Sequence, residues 1–196
     1  MPVYKLVQTS DWPALMIDGI LMHRIKNTSP KKDAEEKIAL LKIRGGNVLD
    51  ICTGLGYTAI TASRYADSVV TIEKDVEVIK IAKENRASQK LFSSEKIKLI
   101  EGDAAEIVKS FPDECFDYII HDPPTFSRAG ELYSGAFYKE LFRILRKQGR
   151  MLHYTGAPSE RYRNKSLRKG IVERLRAAGF KVKECKENFS LLCEKP

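Results

Sequence analysis

Short apolar runs alternate through most of the chain with longer stretches in which apolar residues recur every three or four positions. The runs at 47–51, 68–72, 97–100, 116–120 and 150–154 have strand length. Helices are expected between and after them, at about 57–66, 75–91, 103–110 and 131–147. Strands that alternate with helices in this way pair in parallel, because each helix carries the chain back across the sheet. The expected class is α/β, a doubly wound and mostly parallel sheet with helices on both faces. Near the C-terminus a helix at about 165–178 stops at Gly179. The runs at 180–185 and 189–194 that follow are close enough to pair antiparallel across 186–188.

The N-terminal pattern differs. Asp18-Gly19 stands between Ala14-Leu-Met-Ile17 and Ile20-Leu-Met22, a type I′ turn between two apolar strands. Residues 1–29 are therefore read as a β-hairpin extension and 30–196 as the main domain. Ser29-Pro30 caps the next helix and supplies proline at its first position. That helix runs through Asp33 to Leu41, and Gly45-Gly46 stops it.

Length and composition narrow the class. One domain fits 196 residues, and 43% hydrophobic with 31% charged residues is the make-up of a soluble globular chain. The apolar runs are too short to span a bilayer, and Met1-Pro-Val-Tyr-Lys opens no signal core, so no membrane association and a cytoplasmic location are expected. Cys52, Cys115, Cys185 and Cys193 form no CxxC pair and have no histidine at ligand spacing. Neither a metal site nor a disulfide framework is expected from them. The formal charge is +8, and ten Lys/Arg against three Glu fall between Pro158 and Lys186. This weighs contact with a polyanion evenly against a basic solvated surface.

In a doubly wound sheet, ligands sit beyond the carboxyl ends of the strands, so the residues that follow each strand carry the chemistry. After the first comes Asp50-Ile-Cys52-Thr-Gly54-Leu-Gly56, whose glycines allow a tight turn and close backbone approach. Glu73 follows the second, placed to accept from two ribose hydroxyls. Asp103-Ala104 follows the third and reads either as a contact for an adenine amino group or as a helix N-cap. The fourth ends in His121-Asp122-Pro123-Pro124-Thr125-Phe126. The prolines remove donors, leaving carbonyls and a carboxylate as an acceptor-only wall beside an aromatic ring. Such a wall suits an amino group.

Together these residues resemble class I S-adenosylmethionine-dependent methyltransferases over about residues 30–196, which implies a Rossmann-like fold and S-adenosylmethionine as cofactor. The resemblance implies cofactor contacts at Asp50, Cys52, Gly54, Gly56, Glu73, Asp103 and Ala104. It departs at Cys52, where the family's first glycine is expected. Asp-Pro-Pro-Thr-Phe-Ser looks like loops of some ribosomal-RNA methyltransferases, which raises RNA above other acceptors. Asp122 and the Pro123 carbonyl are then expected to orient the acceptor nitrogen while Phe126 stacks. Pro124, Thr125, His121, His153 and Tyr154 are further candidates around the acceptor. Arg161 and Arg163, with Lys165, Arg168 and Lys169, are placed to contact phosphates.

Two alternatives stand beside this reading. Asp18-Gly19 and Leu132-Tyr133-Ser-Gly-Ala-Phe137-Tyr138 look like spermidine synthases, which use decarboxylated S-adenosylmethionine. Against them, the Pro-Pro-Thr-Phe loop has few acids and the chain is basic. The other alternative is a cofactor-binding subunit without turnover of its own. The sequence leaves the oligomeric state open.

Overall fold

The computed structural model describes residues 2–126, 128–156, 163–185 and 189–196, without the side chains of 163–166. Three strands open the chain: β1 (Tyr4–Val7), β2 (Ala14–Ile17) and β3 (Ile20–Leu21). They form an antiparallel sheet in which Tyr4 faces Ile17 and Ile17 faces Ile20. The Asp18-Gly19 turn lies where the sequence places it, with both residues at positive φ. The extension gains β1, however, which four residues of weak periodicity did not announce.

Helix α1 (Pro30–Leu41) follows, capped by Ser29 and ended by Lys42 in the left-handed conformation. Then come β4 (Asn47–Ile51), α2 (Tyr57–Ala62), β5 (Ser68–Glu73), α3 (Val76–Glu84), α4 (Gln89–Ser93), β6 (Ile97–Glu101) and α5 (Ala104–Ile107). The chain continues with β7 (Phe116–His121), α6 (Gly135–Ile144), β8 (Leu145–Tyr154), α7 (Arg163–Ala177), β9 (Lys181–Cys185) and β10 (Ser190–Glu194). Among the described residues ten strands make a three-stranded sheet and a seven-stranded one of order β6-β5-β4-β7-β8-β10-β9. The strands from β6 to β8 run parallel, and β10 is antiparallel to both neighbours. The doubly wound class and the antiparallel C-terminal strand are as expected. The switch in strand order falls between β4 and β7, so their carboxyl ends diverge there and open a crevice.

All four helices expected between and after the parallel strands are shorter than their periodicity implies, and two of them show why. The one at 75–91 breaks at Asn85, whose buried amide donates to the Tyr57 hydroxyl and to Ser88 Oγ. Those bonds draw the backbone out of the helix. The one at 131–147 splits into a 3-10 turn at Gly130–Tyr133 and α6, and β8 starts at Leu145, which pairs with Phe116 across an irregularity at Phe116/Tyr118. Burial of Leu145 in the sheet outweighs its helical spacing. Apolar cores fill both faces of the large sheet: α6 and α7 cover one, and α1, α2 and the N-terminal sheet cover the other. Among the described residues no helix is long and apolar enough to cross a membrane.

Candidate active site

A cavity of about 620 Å³ lies over the carboxyl ends of β4, β5, β6, β7 and β8. The N-terminal sheet roofs it with Leu15, Ile17, Ile20, Leu21 and Met22. That roof is anchored: Tyr4 donates to Asp75 Oδ2 at 2.7 Å, Tyr57 donates to the Pro13 carbonyl at 2.7 Å, and Trp12 packs on the Tyr57 ring. His23 stacks on Tyr57 too and accepts from the Leu15 N–H through Nδ1, with burial pushing it down to about 4, so it holds the roof as a neutral ring.

The floor at one end is the glycine loop. Cys52 takes φ 69°, Gly54 54° and Gly56 77°. The cysteine therefore stands in the left-handed geometry that a glycine would adopt without strain. Gly56 serves the turn rather than the cavity: a Cβ there would lie 2.7 Å from Leu91 Cδ2. Glu73 locks the loop, its Oε2 accepting from Gly54 N at 2.9 Å and its Oε1 from Asp75 N at 3.0 Å. Burial holds Glu73 above the usual carboxylate range against the pull of those two N–H groups. Asp103 is the N-cap of α5, accepting from Ala105 N at 2.9 Å, and it also lines the cavity. Lys74 sits between Asp103 and Glu131, at 3.7 and 3.5 Å.

The other end is built around the loop after β7. Asp122, Pro123, Pro124, Thr125 and Phe126 all line the cavity, joined by Tyr154 from the end of β8. Tyr133 donates to the Pro124 carbonyl at 2.7 Å and packs edge-on against Phe126, which remains 44% exposed. Asp122 Oδ2 accepts from Lys37 Nζ at 2.6 Å. Lys37, only 4% exposed, also lies 2.9 Å from Asp33 and 4.2 Å from the centre of the Tyr154 ring. Arg24 pairs with Asp33 at 2.6 Å. Burial opposes the charge on Lys37, but Asp122 and Asp33 hold its ammonium above the ordinary lysine value.

Several expected contacts are corrected. Asp50 is fully buried beneath the loop, accepting from Thr58 and Thr71 at 2.8 and 2.7 Å, and does not line the cavity. Burial pushes it up to about 7 despite those hydroxyl donors. Its role is to hold the loop's base, tying β4 to α2 through Thr58 and to β5 through Thr71. Gly56 likewise acts through the turn. His121 and His153 are fully buried and stack 4.3 Å apart behind the loop, not in the cavity. His121 Nε2 meets the Leu132 carbonyl at 2.9 Å, and His153 Nε2 meets the Tyr138 hydroxyl at 2.9 Å. Burial takes His121 down to about 4 and His153 well below its ordinary value, so both are neutral packing groups. Arg161 lies outside the described residues. Arg163 opens α7, but its side chain is outside them too.

Sequence reasoning missed Lys37, Asp33 and Arg24. One signal was present: Pro30, Asp33, Ala34, Lys37, Ile38 and Leu41 form a single helical stripe, all buried, with two opposite charges set among apolar residues. An Asp-Lys pair four residues apart reads more readily as a solvated surface pair.

The family model described as a methyltransferase domain matches residues 42–188. An uncharacterised protein of Methanocaldococcus jannaschii is 50% identical over 195 residues, covering 98% of this chain and 67% of its own length. A polyamine aminopropyltransferase of Prochlorococcus marinus is 31% identical over 184 residues, covering 90% of this chain and 63% of its own. The chain thus spans about two thirds of these relatives. A spermidine synthase solved in complex with the transition-state analogue AdoDATO shares the fold: TM-score 0.82 and 19% identity, covering all of this chain and 71% of that one.

The donor end fits S-adenosylmethionine. Gly54 approaches without a Cβ, and a Cβ added there would meet nothing within 4 Å. Glu73 and Asp103 offer carboxylate acceptors along one wall, and Cys52 and Ala104 complete it.

Proposed function

Because this chain belongs to the methyltransferase-domain family and uses S-adenosylmethionine, we propose that it methylates an uncharged amino nitrogen on a planar acceptor, RNA being the first substrate to test. One observation carries this reading. Among the described residues no donor is bonded to Asp122 Oδ1 or to the Pro123 carbonyl, while Lys37 occupies Oδ2 and Tyr133 occupies the next carbonyl.

S-adenosylmethionine supplies a methyl carbon on a cationic sulfur, already activated for transfer. The protein's part is alignment and exclusion of water. Asp122 Oδ1 and the Pro123 carbonyl accept the two N–H bonds of an amino group, which leaves the nitrogen lone pair facing the donor end. Phe126, presented by Tyr133, stacks on the acceptor ring. As the nitrogen–carbon bond forms and the carbon–sulfur bond breaks, the nitrogen becomes cationic, and Asp122 takes up the proton that leaves it. Helix α7 supports a polyanionic acceptor through exposed Lys169 and Arg176.

Aminopropyl transfer to an amine is the second reading, favoured by a likeness to spermidine synthase that extends through the N-terminal sheet to the whole chain. The test is incubation of the purified chain with methyl-labelled S-adenosylmethionine and fractionated RNA, protein and small molecules. Label in RNA is expected. Product formed only from decarboxylated cofactor and a diamine transfers the assignment to the second reading. Label that appears only when a cell extract is added shows that a partner is needed.

A further inference from the structure

The acceptor end holds four charged side chains whose formal charges cancel: Arg24 and Lys37 against Asp33 and Asp122. All four line the same cavity. Lys37 is the hub. Its three N–H donors face two carboxylates and an aromatic ring, which is the environment that lets a buried ammonium persist without water. Three chain regions converge on it, since Lys37 and Asp122 are 85 residues apart and Tyr154 ends β8. A surface ion pair is worth little, but this one is enclosed and fixes which oxygen of Asp122 faces the cavity.

We propose that Lys37 is the specificity-determining residue of the acceptor end. It turns Asp122 Oδ1 toward a neutral amino group and cancels the acids that a polycationic amine would need. The inference rests on the amino-methylation reading. A polyamine gains affinity only from carboxylates left unpaired near its ammonium groups, and here both carboxylates of the acceptor end are already paired. Removing one cation from the sum leaves a net negative charge a few ångströms from the bound amine. At the dielectric typical of a partly enclosed site, that is about tenfold to a hundredfold in affinity for an ammonium ligand.

The experiment titrates spermidine by calorimetry into the full chain loaded with S-adenosylhomocysteine, comparing the parent with Lys37→Met, Lys37→Arg and Arg24→Gln. The parent and Lys37→Arg are expected to bind weakly, and Lys37→Met to bind at least about tenfold more tightly than either. Arg24→Gln removes one charge from the same sum without touching Asp122, and the same gain is expected there. It keeps the test valid if Lys37→Met fails to fold. In the methyl-transfer assay, Lys37→Met should lose kcat with unchanged cofactor binding, and Lys37→Arg should recover much of it. Spermidine binding to the parent as tight as to the variants overturns the inference. So does the absence of any gain in folded, cofactor-binding Lys37→Met and Arg24→Gln. Because the titration needs no methyl acceptor, failure to label RNA with the spermidine pattern intact removes the acceptor assignment and leaves the role of Lys37 standing.

Discussion

The two ends of the cavity are built on different principles. The donor end comes from three short stretches, each directly after a strand, and its geometry is held mostly by backbone N–H groups: Gly54 and Asp75 to Glu73, and Ala105 to Asp103. The acceptor end draws single side chains from the N-terminal extension, α1, the loop after β7 and the end of β8, and binds them by charge. A site of local backbone contacts survives changes elsewhere in the chain. One made of long-range ion pairs depends on every element that supplies a partner. Cofactor binding and turnover should therefore separate cleanly under mutation.

The strongest break comes at Asp122. Asp122→Ala should lower single-turnover methylation about 10²- to 10⁴-fold, with cofactor affinity by calorimetry within about twofold of the parent. Comparable losses in both would show that the two ends are one unit. The converse change, Glu73→Ala, removes a carboxylate that orders the loop and lines the cavity. An affinity loss of about 10- to 100-fold for S-adenosylmethionine is expected, with turnover at saturating cofactor largely retained.

A third experiment sharpens the contrast beneath the donor loop. Asp50 titrates at about 7 in the folded chain against 3.8 for an ordinary aspartate. The folded state therefore keeps a proton that the unfolded state has already lost, and stability falls as pH rises from about 4 to about 7. The contribution is fully present below that window and is gone above it, a change of a few kcal/mol in order of magnitude. Denaturant titrations should show this slope in the parent and a flatter profile in Asp50→Asn. An equal slope in both would assign the effect to another group. The smallest effect belongs to the rim: Lys169→Glu, at a side chain 78% exposed, should weaken RNA binding only a few-fold and lower the salt slope by about one or two. An unchanged slope would take α7 out of the interface.

The sequence made the donor end legible because its signals are short in range. A glycine loop, an acid at the end of the next strand and an Asp-Ala at a helix start announce their places once the strands are found. The Asp-Pro-Pro-Thr-Phe loop could be read in the same way. His121 and His153 were misread because adjacency to a functional loop along the chain says nothing about which face of a strand a side chain takes. Both point into the layer under α6, where burial leaves them neutral. Asp50 was misread for the same reason, one residue of strand phase separating the cavity from the sheet interior. Asp103 shows that a helix N-cap can at the same time line the cavity, so the two readings are not exclusive.

Periodicity, turn residues and the positions that follow strands determined the doubly wound sheet, the antiparallel C-terminal strand and the donor-side acids, since each depends on neighbours within a few residues. Tertiary structure alone decided that the N-terminal extension would roof the cavity and that Lys37 would meet Asp122 across 85 residues. It also decided that the two histidines would be walled off. A buried charge is tolerable only beside its counter-charge, and which charges meet is set by how the whole chain packs.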